Sequence, residues 1–383
     1  MRVCIIRNAE ASSNAGLFRI IDALMDIEAK PLTLTRSRFS KSKSGKFIYK
    51  PFKYQEQSIP NYELQFKTDF GRGIRNIFQL VLFQFFTILW LLKNRKKFDV
   101  IHAFDLDSGI PALICSILTK KKIIYHIADF YIDSRQGIPS RFKKHVRKLE
   151  YFIIAKSDAT IICTEERKEQ IKGSHPKNLY VVHNSPVEQL QIDSINSYAN
   201  KDKDNSSNLL TLGYVGGLSK NRFINETINF VKNNPQVTLK IAGFGRSEAL
   251  VKEVAANYNN ILYYGRVSYE DALKLYSQCD VMFAMYDPAI PNHKYSAPNK
   301  VYEAMMLGLP IIVAKGTGID ILVETEKIGF SIQYSEEEFN STIKSLMEQK
   351  KLLEQIKHNS KEAFKNYSWA KMKKRVQEIY INL

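Results

Sequence analysis

The stretch SAPNKVYEAMMLGLPII, Ser296 to Ile312, contains a complete passage from helix to strand. Pro298 fits the first turn of a helix, where its missing N–H is no loss. Gly308 suits the left-handed residue that closes a helix, and Pro310 opens an apolar run at the one place a strand tolerates it. Such a unit belongs to a parallel α/β sheet, where ligands bind at the carboxyl ends of the strands and anions at the helix N-termini that follow. Asn299 and Glu303 are four apart and share a face. A carboxylate there can accept two hydrogen bonds from the vicinal hydroxyls of a ribose. Alternatively it is a surface residue or a partner of the helix dipole; spacing does not choose between them.

Working outward, the second half predicts strands at Leu210–Val215, Thr238–Ala242, Ile261–Tyr264, Val281–Ala284 and Pro310–Ala314, each followed by a helical segment. The first half repeats the plan. Strands are expected at Arg2–Ile6, Asp99–Ala103, Lys122–Tyr125, Ala159–Cys163 and Leu179–Val182, with helices at Leu17–Glu28, Ile77–Leu92 and Phe142–Ala155. Short apolar strands alternating with helices imply parallel sheets covered on both faces. The polar run QIDSINSYANKDKDNSSN (191–208) suits an interdomain linker. The expectation is two Rossmann-like, doubly wound α/β domains facing across a cleft: 1–186, a linker at 187–208, and a second domain at 209–365.

Composition agrees with 383 residues folded as two domains: 44% are hydrophobic and 25% charged, with Gly 17 and Pro 12. Those values exclude disordered and collagen-like classes. Four cysteines, Cys4, Cys115, Cys163 and Cys279, lie far apart with no CxxC pair, which argues against a disulfide scaffold or structural zinc. Met1-Arg2 runs straight into an apolar strand, so a secretory signal is not expected and a cytoplasmic protein is.

The net charge of +17 is lopsided. Residues 1–190 hold 32 Lys+Arg against 18 Asp+Glu, a net of +14, and the remainder 24 against 21, a net of +3. The excess clusters at Arg36–Lys53, Lys93–Lys97, Lys120–Lys122 and Arg141–Lys148. A polyanionic partner is implied, nucleic acid or an anionic membrane face; a merely soluble surface is the plain alternative. Asn76–Leu92 has 17 uncharged residues flanked by Arg72, Arg75 and Lys93–Lys97. It is short for a membrane span and reads as a buried or half-buried helix, or as one lying in an interface.

The loops after the strands carry the candidate chemistry. Gly216-Gly217-Leu-Ser-Lys-Asn-Arg222 ends the first strand of the second half, and such glycines let backbone amides approach a phosphate that Arg222 then grips. Gly243-Phe-Gly245 reads as turn chemistry. In the first half, Gly16 opens a helix after the polar loop Asn8–Asn14. His102 and Asp105 end one strand in IHAFDLD, and His126 and Asp129 end the next in YHIADFY. A lone His at a strand end is more often a satisfied structural residue than a functional one.

Together these segments resemble the GT-B glycosyltransferases of family 4, over nearly the whole chain. The carriers are Asp99–Asp107 with Tyr125–Tyr131, Val182-His-Asn-Ser-Pro186, Gly213–Ser219, Gly265-Arg266-Val267, and Pro298–Ile311; five segments in family order are specific where none alone is. Trp369 suits the family's terminal helix, which would return 366–383 to the first domain. The resemblance implies a donor site of Gly16, Gly216, Gly217, Arg222, Arg266, Val267, Tyr295, Pro298, Asn299, Lys300 and Glu303. The family's diphosphate-binding Arg and Lys fall on Gly217 and Arg222, so one cation is kept. Its two glutamates fall on Tyr295 and Glu303, so Glu303 is expected on the ribose while the sugar contact is missing, with Lys300 as a substitute polar group. The family His falls on Ala128, with His126 two residues earlier, and Asp129 keeps the acidic position.

His126, Asp129 and Arg222 are thus the expected catalytic residues, and His102, Asp105 and Asp129 the acceptor contacts. The implied reaction is retaining, metal-independent transfer of a hexosyl group from a nucleoside diphosphate sugar, UDP before GDP, with no cofactor. The acceptor would be a saccharide or a polyprenyl-diphosphate-linked one in surface polysaccharide synthesis. A lipid-linked acceptor gives the basic half a reason, peripheral attachment to the anionic inner face of the cytoplasmic membrane through 36–53 and 93–97. The rivals are a GT-B nucleotide- or sugar-binding protein that has lost catalysis, a basic nucleic-acid-binding protein, for which no recognition motif is present, and a dinucleotide oxidoreductase, which lacks its third glycine at Gly243-Phe-Gly245.

Overall fold

The computed structural model describes residues 1–11, 14–37, 46–65, 77–135, 139–187 and 210–383. The chain divides into two compact units, Met1–His183 with Ala370–Leu383, and Asn184–Trp369. The division falls before the expected residue 186. Asn184 Nδ2 donates to the Ala297 carbonyl (2.9 Å) and Ser185 Oγ to that of Tyr367, which fastens both to the second unit. Residues 188–208 of the expected linker, the basic positions 38–45, and Arg72, Arg75 and Asn76 lie outside the described residues.

The first unit is built on an eight-stranded sheet, with Phe52–Tyr54 and Gln57–Ile59 paired apart from it as an antiparallel ribbon. The strands of the sheet run in the order Leu179–Val181, Ala159–Ile162, Lys122–Ile127, Val100–Phe104, Arg2–Ile6, Lys30–Ser37, Asn61–Gln65 and Phe47–Tyr49. All pair in parallel except the last, an antiparallel edge. The central strands are buried along most of their length, which explains why VCII and IIY read as unbroken apolar runs. Lys30–Ser37 escaped the sequence reading because Thr33, Thr35 and Arg36 look exposed. All three are buried, and both threonine hydroxyls donate to Asn61 Oδ1 (2.9 and 2.8 Å). The helix Asp105–Thr119 is disguised by Gly109 and Pro111. Gly109 is required there, since a Cβ would stand 2.7 Å from the Tyr125 ring.

The second unit has six parallel strands in the order Ile261–Tyr263, Val237–Phe244, Leu210–Gly217, Val281–Ala284, Ile311–Ala314 and Gly329–Ile332. Val281–Ala284 matches its expectation, and Ile311–Ala314 starts one residue after Pro310. The helix that follows the site loop is Asn299–Leu307, so Pro298 is its N-cap rather than its first helical residue.

In both units the strand order reverses beside the first strand. Arg2–Ile6 lies between Lys30–Ser37 and Val100–Phe104, and Leu210–Gly217 between Val237–Phe244 and Val281–Ala284. Loops leaving such a switch point on opposite faces open a crevice at the carboxyl ends. Residues 7–11, 14–16, 105–107 and 128–131 fall there in one unit, and 216–222, 285–287 and 296–300 in the other.

Candidate functional site

In the second unit two strand ends meet without side chains between them. A Cβ on Gly243 would sit 1.8 Å from the Gly216 carbonyl oxygen, so that pair is glycine by necessity. A Cβ on Gly216 would fall 2.8 Å from Lys300 Nζ, which places the ammonium of the helix Asn299–Leu307 directly against the glycine turn. Gly217 is different: a Cβ there meets nothing within 4 Å. Its carbonyl accepts from the Tyr214 hydroxyl (2.8 Å), which holds the turn open.

Arg222 ends the 3-10 turn Lys220–Arg222, and its guanidinium lies on the face of Tyr286, 3.5 Å from the ring centroid. Its Nη1 is buried with no hydrogen-bond partner. Lys300 Nζ stands 4.7 Å from the Tyr214 ring centroid and 6.0 Å from that of Tyr286. Neither cation forms an ion pair among the described residues, although the charge of Glu303 acts on Lys300 from the same helix. Two cations held by aromatic faces, which attract positive charge without neutralising it, are left to meet an incoming anion.

The helix Asn299–Leu307 adds its own positive end. It has no side-chain cap and no acid in its first turn. Ser296 Oγ donates to the Thr317 carbonyl (3.2 Å), which with the bond from Asn184 to Ala297 fixes the entry to the helix. Glu303, one turn in, is buried rather than turned to water, and Asn299 and Tyr295 are half-buried beside the helix start. Arg266 is exposed and stacks on Phe244 at 4.8 Å, while Val267 packs on the core. Gly265 accepts from Gly243 N (2.7 Å), which brings 265–267 beside the glycine turn.

In the first unit Asp105 organises the strand-end loops. It adopts φ +57° at the head of the helix Asp105–Thr119, and its Oδ1 accepts from the amides of Ala128 (2.8 Å) and Asp129 (2.9 Å). Its Oδ2 lies 3.6 Å from Arg7 Nη1. Burial pushes its pKa up to about 6, against the pull of Arg7. Expected as an acceptor contact, Asp105 is committed to shaping the 128–129 loop, and Asp129 is the exposed carboxylate on that loop.

The two histidines depart from expectation because the strand Lys122–Ile127 runs two residues longer than its apolar pattern suggested. His126 therefore lies inside it, paired with Phe104, its ring stacked on that residue at 4.4 Å. His102 is fully buried and cannot meet an acceptor. It connects Tyr380 and His126: its Nδ1 is 2.6 Å from the Tyr380 hydroxyl and its Nε2 3.1 Å from His126 Nδ1. Burial lowers the pKa of His102 to about 3 and that of His126 well below the ordinary value, so both rings are neutral. Gly16, near the start of the helix Ala15–Asp26, would tolerate a Cβ at ordinary contact distance from Phe104 (3.7 Å), with Asn14 Oδ1 tighter at 3.4 Å.

Several site residues were not anticipated. Tyr286 and His293 flank the cation pair, with ring centroids 5.2 Å apart, and His293 Nδ1 is 2.8 Å from the Asp287 carbonyl. Tyr286 had a signal, since it follows the carboxyl end of an expected strand. Tyr380 had none; only the tertiary structure brings it to His102.

Glycine turn, cations and helix N-terminus thus gather at the switch point of the second Rossmann-like unit, and two such units in one chain make the GT-B fold. Residues 199–363 match the family model described as glycosyl transferases group 1, a stretch that covers most of the second unit. Solved structures agree in fold over the full length. Sucrose-phosphate synthase from Thermosynechococcus elongatus aligns at TM-score 0.75 and 14% identity, covering 100% of this chain and 98% of that one. Anabaena HepE in complex with UDP and glucose aligns at 0.72 and 17%, covering 100% of both. An E. coli trehalose-6-phosphate protein bound with UDP-2-fluoro glucose aligns at 0.71 and 11%, covering 100% and 98%. No curated protein sequence matches the chain.

Proposed function

We propose that the chain is a retaining glycosyltransferase that moves a hexose from a nucleoside diphosphate sugar, UDP-linked before GDP-linked, to a saccharide or polyprenyl-diphosphate-linked saccharide in surface polysaccharide synthesis. The observation that carries this reading is the pair of cations in no ion pair among the described residues, Arg222 and Lys300, around Tyr286 beside the uncapped helix at Asn299. When the anomeric bond breaks, negative charge builds on the departing diphosphate. Donors and cations already in place stabilise that charge without reorganising, and need no metal to do so. Arg222 Nη1, Lys300 Nζ and the first amides of Asn299–Leu307 take that role, the Gly216–Gly217 turn lets the phosphates approach, and Glu303 holds the ribose diol.

Asp129 offers a carboxylate to the acceptor hydroxyl from a loop that Asp105 fixes. His126, kept neutral by burial, contributes hydrogen bonding rather than charge. The Anabaena and E. coli proteins of this fold were captured with UDP and a UDP sugar, which supports UDP as the first candidate.

The test is a thermal-shift screen of UDP-, GDP- and CMP-sugars followed by turnover of Arg222→Ala. The UDP-sugar is expected to raise the melting point most. The variant should lose about 2–4 kcal/mol of transition-state stabilisation, and undiminished donor hydrolysis and transfer would refute the role of Arg222. The open space at Gly217 favours one second reading, a nucleotide- or sugar-binding protein without turnover. Donor hydrolysis above background excludes it.

A further inference from the structure

The outward face of the first unit is apolar where a soluble protein's should be polar. The helix Ile77–Lys93 turns Phe83, Thr87 and Leu91 inward. Yet its opposite side exposes Phe78 (69%), Val81, Phe85 (52%) and Leu89, spaced as a single stripe. An ordinary surface helix is apolar toward the core only. Asp105–Thr119 packs against it and adds Ile114, Ile117 and Leu118 (64% exposed). Ser140–Lys156 packs against that helix in turn and exposes Phe142, Leu149 and Phe152.

Cations frame this surface. Ser140–Lys156 exposes Arg141, Lys143, Lys144, Arg147, Lys148 and Lys156, while its one acid, Glu150, is buried. Among the described residues, Arg147 alone of these has an acidic partner, Asp133 at 3.1 Å. Arg141 and Lys156 lie over the rings of Phe142 and Phe152, so charge and apolar surface are interleaved. At the amino ends of the strands, Arg2, Arg95, Lys96 and Lys121 line a cavity of about 740 Å³ whose apolar wall is Leu92 and Leu118. Asp99, bound to Arg2 at 2.7 Å, offsets one of these charges.

We infer that the three-helix face formed by Ile77–Lys93, Asp105–Thr119 and Ser140–Lys156 docks on an anionic lipid leaflet, with its apolar stripe at acyl depth and its cations among the phosphates. Charge selects this occupant. A second copy of the chain would bring the same cations against themselves, whereas an anionic leaflet neutralises them and takes up the aromatic side chains. No helix among the described residues is long and apolar enough to cross a membrane, so attachment is along the surface. The inference moves the contact from 36–53 and 93–97 to helix faces. It rests on the transferase reading only for its purpose, bringing the unit to a lipid-linked acceptor.

The test is flotation of the full chain, without any sugar nucleotide, with vesicles of phosphatidylcholine alone and of phosphatidylcholine with phosphatidylglycerol. The wild type should float with the anionic vesicles, less so in high salt. Phe78→Glu/Phe85→Glu and Lys143→Glu/Lys144→Glu should each weaken partitioning on the order of tenfold, with unchanged melting curves showing that the fold survives. Flotation that ignores vesicle charge, or variants that float like the wild type, would overturn the inference. So would a dimer that forms through this face in place of vesicle binding. Because no donor is present, failure here leaves the donor site untouched, and failure of UDP binding leaves this surface untouched.

Discussion

At the scale of single residues, the proposed donor site turns on where positive charge comes from. Arg222 was legible as a cation after a glycine turn. Lys300 was legible only as a polar residue on a helix, because the contact that matters, its Nζ against Gly216, joins positions far apart in sequence. Lys300→Met should weaken UDP-sugar binding by about 1.5–3 kcal/mol, the usual worth of a charge-assisted hydrogen bond, measured by calorimetry. Gly217→Arg should restore part of that loss, since the position has room for a side chain. If Gly217→Arg rescues nothing while folding normally, the cation at Lys300 is not acting on the same anion. Glu303 and Asp129 lie on the helix and the strand-end loop where spacing put them, one buried and the other exposed, and their roles are those proposed above. His102 and Asp105 were readable as polar residues but not in their roles, which depend on Tyr380 and on the amides of residues 128 and 129.

At the scale of elements, the strands that match expectation are those buried on both faces, such as Arg2–Ile6 and Val281–Ala284, where sequence and burial report the same quantity. One that was missed, Lys30–Ser37, buries polar groups against its neighbour. Thr33 and Thr35 on Asn61 hide a strand that hydropathy alone cannot reveal. Helix ends were legible where chemistry demands one residue type. Gly308 has φ +65°, and an added Cβ would lie 2.5 Å from Lys361 Cε, at the junction of Asn299–Leu307 with the long helix Lys350–Tyr367. Gly308→Ala is therefore expected to cost about 1–2 kcal/mol, read as a lower denaturant midpoint. A midpoint equal to wild type would show that the helix end relaxes freely. The Lys361 stem is flexible, so the backbone conformation is the larger cost.

At the scale of the whole molecule, buried titratable groups give the first unit a signed response to pH. His102, with its pKa lowered to about 3, takes up a proton in the unfolded chain before it does in the folded one. Its contribution is present above the ordinary value of 6.5 and lost as pH falls from there toward 3. Between pH 6.5 and 5 the loss is about 2 kcal/mol. Glu150 opposes it: burial pushes its pKa up to about 8, so it favours the folded state as pH falls from 8 toward its ordinary 4.5. The two are separated by comparison with His102→Gln, whose melting temperature should fall less steeply on acidification than that of wild type. Parallel slopes would mean that His102 is not the acid-sensitive group.

Because Ala370–Leu383 belongs to the first unit, the half of the molecule that leaves the ribosome first is the last to be finished. All of Asn184–Trp369 is translated in between, an interval of roughly ten to forty seconds at ordinary elongation rates. Throughout it, the nascent sheet lacks the Met372 sulfur that accepts from His183 N (3.3 Å) and the Tyr380 hydroxyl beside His102. The packing of the first unit is therefore completed only once residues 370–383 have been made.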